Sequence, residues 1–260
     1  MVPSTTALTV TSTEALSPGL VRVHFRSDDL SAFAGSTATD RYVKLVFEGG
    51  EAPVLRTYTA IDPDVEAGTV AIDFVVHGDE GVAGPWAARA TPGETLAARG
   101  PGGGYAPDPS AAWHLLVGDQ SALPAVAAAV AALGATAVGY VVVEVPGREH
   151  EIDLRAPAGM EVSWVYAASA EETVGDDAVA GSPTLVDAVR ALPWRPGRVQ
   201  AFVHGEARAV MHGIRPYLLT ERGVPRADAS ISGYWRRGRS EESFRVWKSE
   251  LATAESAAAG

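Results

Sequence analysis

Arg56-Thr57-Tyr58-Thr59 sets a guanidinium and a phenol two residues apart inside a β-rich run. On a strand such residues share a face, with Thr57 and Thr59 turned to the other. A guanidinium there can clamp a pyrophosphate through two parallel hydrogen bonds, and the ring beside it can lie against a flat heteroaromatic. The same four residues also suit an ordinary surface strand. A second segment, Gly233-Tyr234-Trp235-Arg236-Arg237, follows the short strand-like run Ala229–Ser232 with two large aromatics and two guanidiniums. That set suits a flat, anionic or aromatic small molecule. Equally, it describes a strand end whose aromatics pack inward while the arginines face water. Alternation predicts that only one of Tyr234 and Trp235 faces a cleft and that the other is core.

Three glycine-bearing junctions accompany these segments. In His77-Gly78-Asp79-Glu80-Gly81-Val82-Ala83-Gly84-Pro85-Trp86-Ala87, three glycines precede a helix start and expose backbone N–H groups that can hold an anion. Gly118-Asp119-Gln120-Ser121-Ala122-Leu123-Pro124 joins an apolar strand to a helix, the position at which doubly wound folds bind nucleotides, although GxGxxG is absent. His204-Gly205-Glu206-Ala207 is a similar junction, and the helix after it carries Arg208, Arg215 and Arg222 on nearly one face. Each junction also reads as a normal turn. The six histidines show no HExxH or other paired metal spacing, and GxSxG, P-loop and kinase signatures are absent.

The elements that position these residues fall into two halves. Between about Leu8 and Gly100, short strand-like runs (Leu20–Arg26, Tyr42–Phe47, Arg56–Ile61, Val70–Val76, Thr95–Arg99) alternate with turn residues, which predicts a small antiparallel barrel. A brief helical stretch near Trp86–Ala90 interrupts them. Beyond the Gly/Pro-rich segment Gly100–Pro109, continuous apolar strands alternate with helices: Trp113–Val117, helix Ala122–Leu133, Val138–Val145, Val162–Tyr166, helix Pro183–Leu192 capped by Ser182, Gln200–His204, helical Glu206–Glu221, Ala229–Ser232. This is the pattern of a parallel sheet covered on both faces. The expected division is a barrel over 1–108, a doubly wound domain over 109–239, and a C-terminal helix with a fraying tail over 240–260. That last helix starts at Ser240 and docks through Phe244, Trp247 and Leu251, while the acidic loop Ala168–Gly181 is expected to be mobile.

The chain has 260 residues, 47% of them hydrophobic, and a formal net charge of -11. Such a charge argues against nucleic-acid binding, which needs a basic face to displace counterions. No cysteine is present, which excludes disulfides, thiol nucleophiles and thiolate metal sites. No signal peptide or bilayer-length apolar run is visible, so a soluble cytoplasmic protein without membrane insertion is expected.

Taken in order, seven segments resemble the siderophore-interacting protein family of flavin-dependent ferric-siderophore reductases, related to ferredoxin–NADP reductases. They are Asp40–Leu45, Arg56–Thr59, Asp73–Gly78, Gly81–Ala87, Gly118–Ala125, Gly205–Ala207 and Ser230–Gly238. The resemblance spans nearly the whole chain, and Ser232-Gly233-Tyr234-Trp235-Arg236-Arg237-Gly238 is its most distinctive part. Val82 stands where the family usually has proline, and Glu144-Val145-Pro146-Gly147-Arg148-Glu149 departs from the usual acidic run, leaving NADH or NADPH open. The resemblance implies FAD on the barrel, held by Arg56, Thr57, Tyr58, Thr59, Asp73, His77, Gly81, Val82, Ala83, Gly84, Trp86 and Ala87. It implies NADH or NADPH at Gly118, Asp119, Ser121, Ala122, Pro124, Gly205 and Glu206, with Tyr234 at the flavin. Electrons then pass to a ferric siderophore gathered by Lys44 and Arg236 or Arg237, in a monomer with no protein ligand to iron. Ferredoxin is an alternative donor. A general flavin or ferric-chelate reductase and a non-enzymatic siderophore-binding protein are the competing readings.

Overall fold

The structure is a computed structural model and describes residues 5–48, 52–78, 81–167 and 183–237. Strands β1 (Thr5–Ser17), β2 (Leu20–Arg26), β3 (Tyr42–Phe47), β4 (Val54–Asp64), β5 (Thr69–Val75) and β6 (Thr95–Gly102) close an antiparallel barrel in the order β1-β2-β5-β4-β3-β6. Alternate residues of these strands, among them Val23, Phe25, Val43, Leu45, Ile72 and Phe74, fill one core. A single period-two pattern therefore both sets the register and forms the barrel interior. Five of the six strands match the predicted runs. The unforeseen one is β1, whose Thr- and Ser-rich sequence buries only Leu8 and Val10 among its apolar residues.

The short helix α1 (Ala83–Ala87) follows β5 and plugs the barrel. Trp86 stacks on Phe25 at 6.3 Å and meets Phe47 at 5.8 Å and Phe74 at 5.6 Å between ring centroids.

The second half is a parallel sheet in the order β11-β10-β7-β8-β9, built from β7 (Trp113–Asp119), β8 (Val138–Val145), β9 (Gly159–Tyr166), β10 (Val199–Glu206) and β11 (Ala229–Trp235). Its central strands β7, β8 and β10 are buried along almost their whole length, as double coverage requires, while the edge strands β9 and β11 are partly exposed. Trp113, Leu115 and Val117 join Leu185 and Val189 of α3 (Pro183–Ala191) and the helical residues after β10. On the other face Leu116, Val141 and Val143 meet α2 (Leu123–Ala131). The helix expected over Glu206–Glu221 begins only after Glu206, which ends β10, and is wound as π turns over Arg208–Ile214 and Tyr217–Glu221. Pro216 lies between them. It lacks an N–H and its ring crowds an α-helical carbonyl one turn back, a clash that wider winding relieves.

Barrel and sheet share packing. Leu20 belongs to the same buried cluster as α2, with Leu16 and Val75 against it. Gln200 of β10 accepts from the Asp108 N–H at 2.7 Å and donates to the Ala106 carbonyl at 3.0 Å. Asp40 accepts from the Gly104 and Tyr105 amides at 2.8 and 2.9 Å, tying the connecting segment to the barrel. The expected Ser182 cap, the 168–181 loop and the 240–260 helix lie outside the described residues. No described helix is long and apolar enough to cross a membrane.

Candidate functional site

A cleft of about 1110 Å³ opens between the barrel strands β3, β4 and β5 and the C-terminal ends of β7, β8, β10 and β11. Ligands of open α/β sheets bind outside the carboxyl ends of the strands, where strand order reverses, here between β7 and β10. The barrel wall carries Arg56, Thr57, Tyr58 and Thr59, with Tyr42 and Lys44 from the neighbouring β3. All four residues of the β4 segment line the cleft, so it is not limited to the face bearing Arg56 and Tyr58. Tyr58 is anchored by Phe74, ring centroids 4.5 Å apart, which holds its phenol at the barrel mouth. Asp73 and His77 also reach the cleft. The Asp73 carboxylate is fully buried and clamped by Arg22 through bonds of 2.7 and 2.8 Å, so its charge is already paired.

The glycine loop behaves otherwise. Gly81, Val82, Ala83, Gly84, Trp86 and Ala87 are not among the cleft-lining residues. The partly buried Trp86 ring packs against the barrel core, and Ala83 and Ala87 are buried. These residues close the barrel beside His77, with Gly81 and Val82 exposed.

On the sheet wall, Asp119 organises the switch point. Its Oδ1 accepts from Ser121 N and Ala122 N at 2.9 and 3.1 Å and from Ser121 Oγ, closing the turn into α2. Its Oδ2 accepts from Glu206 N and from Trp235 Nε1, both at 2.7 Å. One carboxylate therefore joins the ends of β7, β10 and β11. Gly205 makes this approach possible: its φ is +149°, and a Cβ there would lie 2.8 Å from Asp119 Oδ2. Glu206 caps the following helix by accepting from Arg208 N at 2.7 Å and Ala209 N at 3.0 Å. Of the two sheet junctions, Asp119, Ser121 and Pro124 line the cleft, while Gly118, Ala122, Gly205 and Glu206 support it from behind.

Tyr234 and Trp235 both line the cleft, contrary to strict alternation. The cause is a bulge. Gly205 pairs with Gly233 but Glu206 pairs with Trp235, leaving Tyr234 as an extra residue. The Tyr234 hydroxyl shares a 2.9 Å hydrogen bond with His204 Nδ1, and the other ring nitrogen reaches Ser230 Oγ at 2.9 Å. Burial, with the charges of Asp40 and Asp119, pushes the Tyr234 phenol up, so it stays protonated. Trp235, 39% exposed, presents its ring at the rim while its N–H is held by Asp119. Lys44 and Arg237 line the cleft and Arg236 does not.

Glu144 went unassigned in the sequence. It ends β8 in register with Asp119, is 7% exposed and lines the cleft. Among the described residues its Oε2 has no hydrogen-bond partner. Burial first, and then the Asp119 charge, raise its pKa to about 7. Tyr42, Gly103, Gly104 and His204 also line the cleft, and each lies in a segment the sequence marks, though none is assigned a role there. Tyr42 lies in the β3 stretch already matched, and Gly103 and Gly104 lie in the glycine cluster after the barrel.

An antiparallel barrel followed by a parallel sheet, with a cleft at their junction, defines a ferredoxin reductase-like fold. The model of the siderophore-interacting protein family matches residues 111–238, and that of the siderophore-interacting FAD-binding domain matches residues 47–105. The chain belongs to the siderophore-interacting protein family. An uncharacterized protein of Mycobacterium tuberculosis is 46% identical over 272 residues, covering 96% of each chain. Ferric vibriobactin reductase ViuB of Vibrio cholerae is 35% identical over 197 residues, which is 74% of this chain and 68% of that one. The crystal structure of the siderophore-interacting protein SipS from Aeromonas hydrophila superposes with a TM-score of 0.81 at 28% identity, covering 97% of this chain and all of that one.

Proposed function

We propose that the protein reduces ferric siderophores, with FAD in the cleft and NADH or NADPH as electron donor. The observation that carries the reading is the cleft itself: Arg56–Thr59 on one wall and the switch point of the sheet on the other. The residues fit the flavin. The cleft volume admits a dinucleotide-sized ligand, Tyr58 offers a braced ring, Arg56 a guanidinium, and Gly103 and Gly104 a wall without side chains. Arg56, Thr57 and Thr59 would hold the diphosphate, Tyr58 and Tyr234 would flank the ring, and the donor would dock at Asp119–Pro124. When bound, the flavin supplies the conversion of a two-electron donor into one-electron transfers to Fe(III). The protein positions both ligands and excludes water between them. Hard oxygen chelators hold ferric iron more tightly than the softer ferrous ion, so reduction loosens the substrate complex. The name and 35% identity of the ferric vibriobactin reductase support this substrate class. We also read residues 1–108 and 109–239 as the flavin and donor domains, and the protein as a cytoplasmic monomer.

The test is a visible spectrum of the purified protein, with FAD added if needed, followed by anaerobic NADH or NADPH and then a ferric siderophore. Flavin bands that bleach with donor and return with siderophore are expected. Absence of bands even with added FAD rejects the reading.

Lys44 and Arg237 give this acidic protein a local basic rim for an anionic substrate. Lys44→Ala and Arg237→Ala are each expected to weaken the affinity for an anionic ferric siderophore roughly threefold to tenfold, less so at high salt. Unchanged affinity in the double variant would remove the rim from the mechanism.

A further inference from the structure

Three carboxylates stand at the C-terminal edge of the sheet, and two of them have both oxygens engaged. Asp119 accepts from the β7–α2 turn, Glu206 N and Trp235, while Glu206 caps the next helix. Glu144 is the third. Its Oε2 is buried without a partner among the described residues, and its side chain borders the cleft beside Asp119. The groups that act on it are the Asp119 and Glu206 carboxylates, the Arg237 guanidinium and the Leu185 backbone N–H. Two negative charges therefore oppose one positive charge around a desolvated carboxyl.

We propose that Glu144 is a positioning residue that must carry a proton for the donor dinucleotide to bind, so that its ionisation sets the upper pH limit of donor affinity. The inference rests on the donor docking at the switch point. Its physical basis is electrostatic: a pyrophosphate brought to the Asp119–Pro124 turn enters the field of Glu144 across a water-poor wall. With the carboxyl neutral, the approach past Arg237 meets the two carboxylates of Asp119 and Glu206. A carboxylate adds a third negative charge to the same edge. By linkage, an anion that binds the protonated form favours that form, so affinity is full below the pKa of Glu144 and is lost as pH rises through it. With that pKa at about 7, the donor dissociation constant should rise roughly tenfold between pH 6 and pH 8. At pH 7, binding should take up about half a proton from solution.

The experiment uses the FAD-loaded full-length protein and its Glu144→Gln variant, titrated calorimetrically with NAD⁺ and with NADP⁺ from pH 6 to pH 8 in two buffers of different ionisation enthalpy. The oxidised nucleotides avoid turnover. His77 and His204 line the cleft in both proteins, so the difference between them isolates the share of Glu144. The expected result is a pH-dependent affinity with proton uptake in the wild type. The glutamine variant should hold the low-pH affinity across the range without that uptake. A wild-type affinity flat in pH, or a variant keeping the full slope, overturns the inference and leaves flavin-dependent reduction standing. Binding of neither nucleotide at any pH overturns both the inference and the nicotinamide-donor reading. Failure to take up FAD at all is the separate result that rejects the functional reading. Should the glutamine variant fold poorly, Glu144→Met takes its place, with the same expected loss of pH slope and of proton uptake.

Discussion

Arg56→Ala should yield a colourless protein whose affinity for FAD is lower by about two orders of magnitude, since a charge-assisted bidentate contact to phosphate is worth on the order of 3 kcal/mol. Position is the first reason. Arg56 lies on β4 and lines the cleft, with Nη1 donating to the neighbouring Leu55 carbonyl at 3.0 Å. That bond steadies the guanidinium close to the strand, which lowers the entropy lost when phosphate binds. Alanine removes charge and fork together, whereas the Arg56→Lys variant would keep the charge alone. Fluorescence titration with FAD measures both. The expected order is wild type, then lysine, then alanine. Retention of FAD by the alanine variant would place the diphosphate elsewhere on the barrel. Circular dichroism serves as the folding control, because Arg56 is not part of the barrel core.

Asp119→Ala is expected to be the most damaging change to the sheet half. It withdraws the acceptor from Ser121 N, Ser121 Oγ, Ala122 N, Glu206 N and Trp235 Nε1 at once. Orphaning a buried donor costs about 1–3 kcal/mol, so a loss on the order of 4 kcal/mol is expected after partial relaxation and hydration. Denaturant unfolding measures it. Asp119→Asn should fall between, since its amide keeps one oxygen for the α2 turn but opposes Glu206 N–H or Trp235 with its own NH₂. A loss below about 1 kcal/mol for the alanine variant would mean that the β10 and β11 ends are held by something other than this carboxylate. Donor affinity should fall with stability, because the turn Asp119 closes is the proposed docking element.

Much of this was legible in the chain. Strand periodicity separated the barrel from the sheet because buried parallel strands are apolar throughout, whereas barrel strands alternate. Val138–Val145 has the same bounds in sequence and structure. The site segments Arg56–Thr59 and Gly118–Pro124 were visible because strand-to-turn junctions have characteristic residues. What stayed hidden depends on tertiary neighbours. Trp86 reads as a ligand residue within its loop, and no local pattern announces the three phenylalanines from separate strands that pack around its ring. Tyr234 and Trp235 share the cleft through a one-residue bulge that no local pattern announces. Glu144 acquires its character from burial at the end of β8 and from the register that places it beside Asp119. Asp119 reads in sequence as part of a nucleotide-binding or ordinary βα turn, and its bonds to the β10 and β11 ends join partners far apart in sequence.

Those distant partners bear on how the chain folds. Asp119 bonds Glu206 across 87 residues and Trp235 across 116. Contacts of such sequence separation form late, after the intervening loops have been closed. During synthesis the first βα turn emerges well before β11, so its carboxylate waits without its last two donors until the sheet is complete. The C-terminal edge of the sheet is therefore expected to be the last part of it to become ordered.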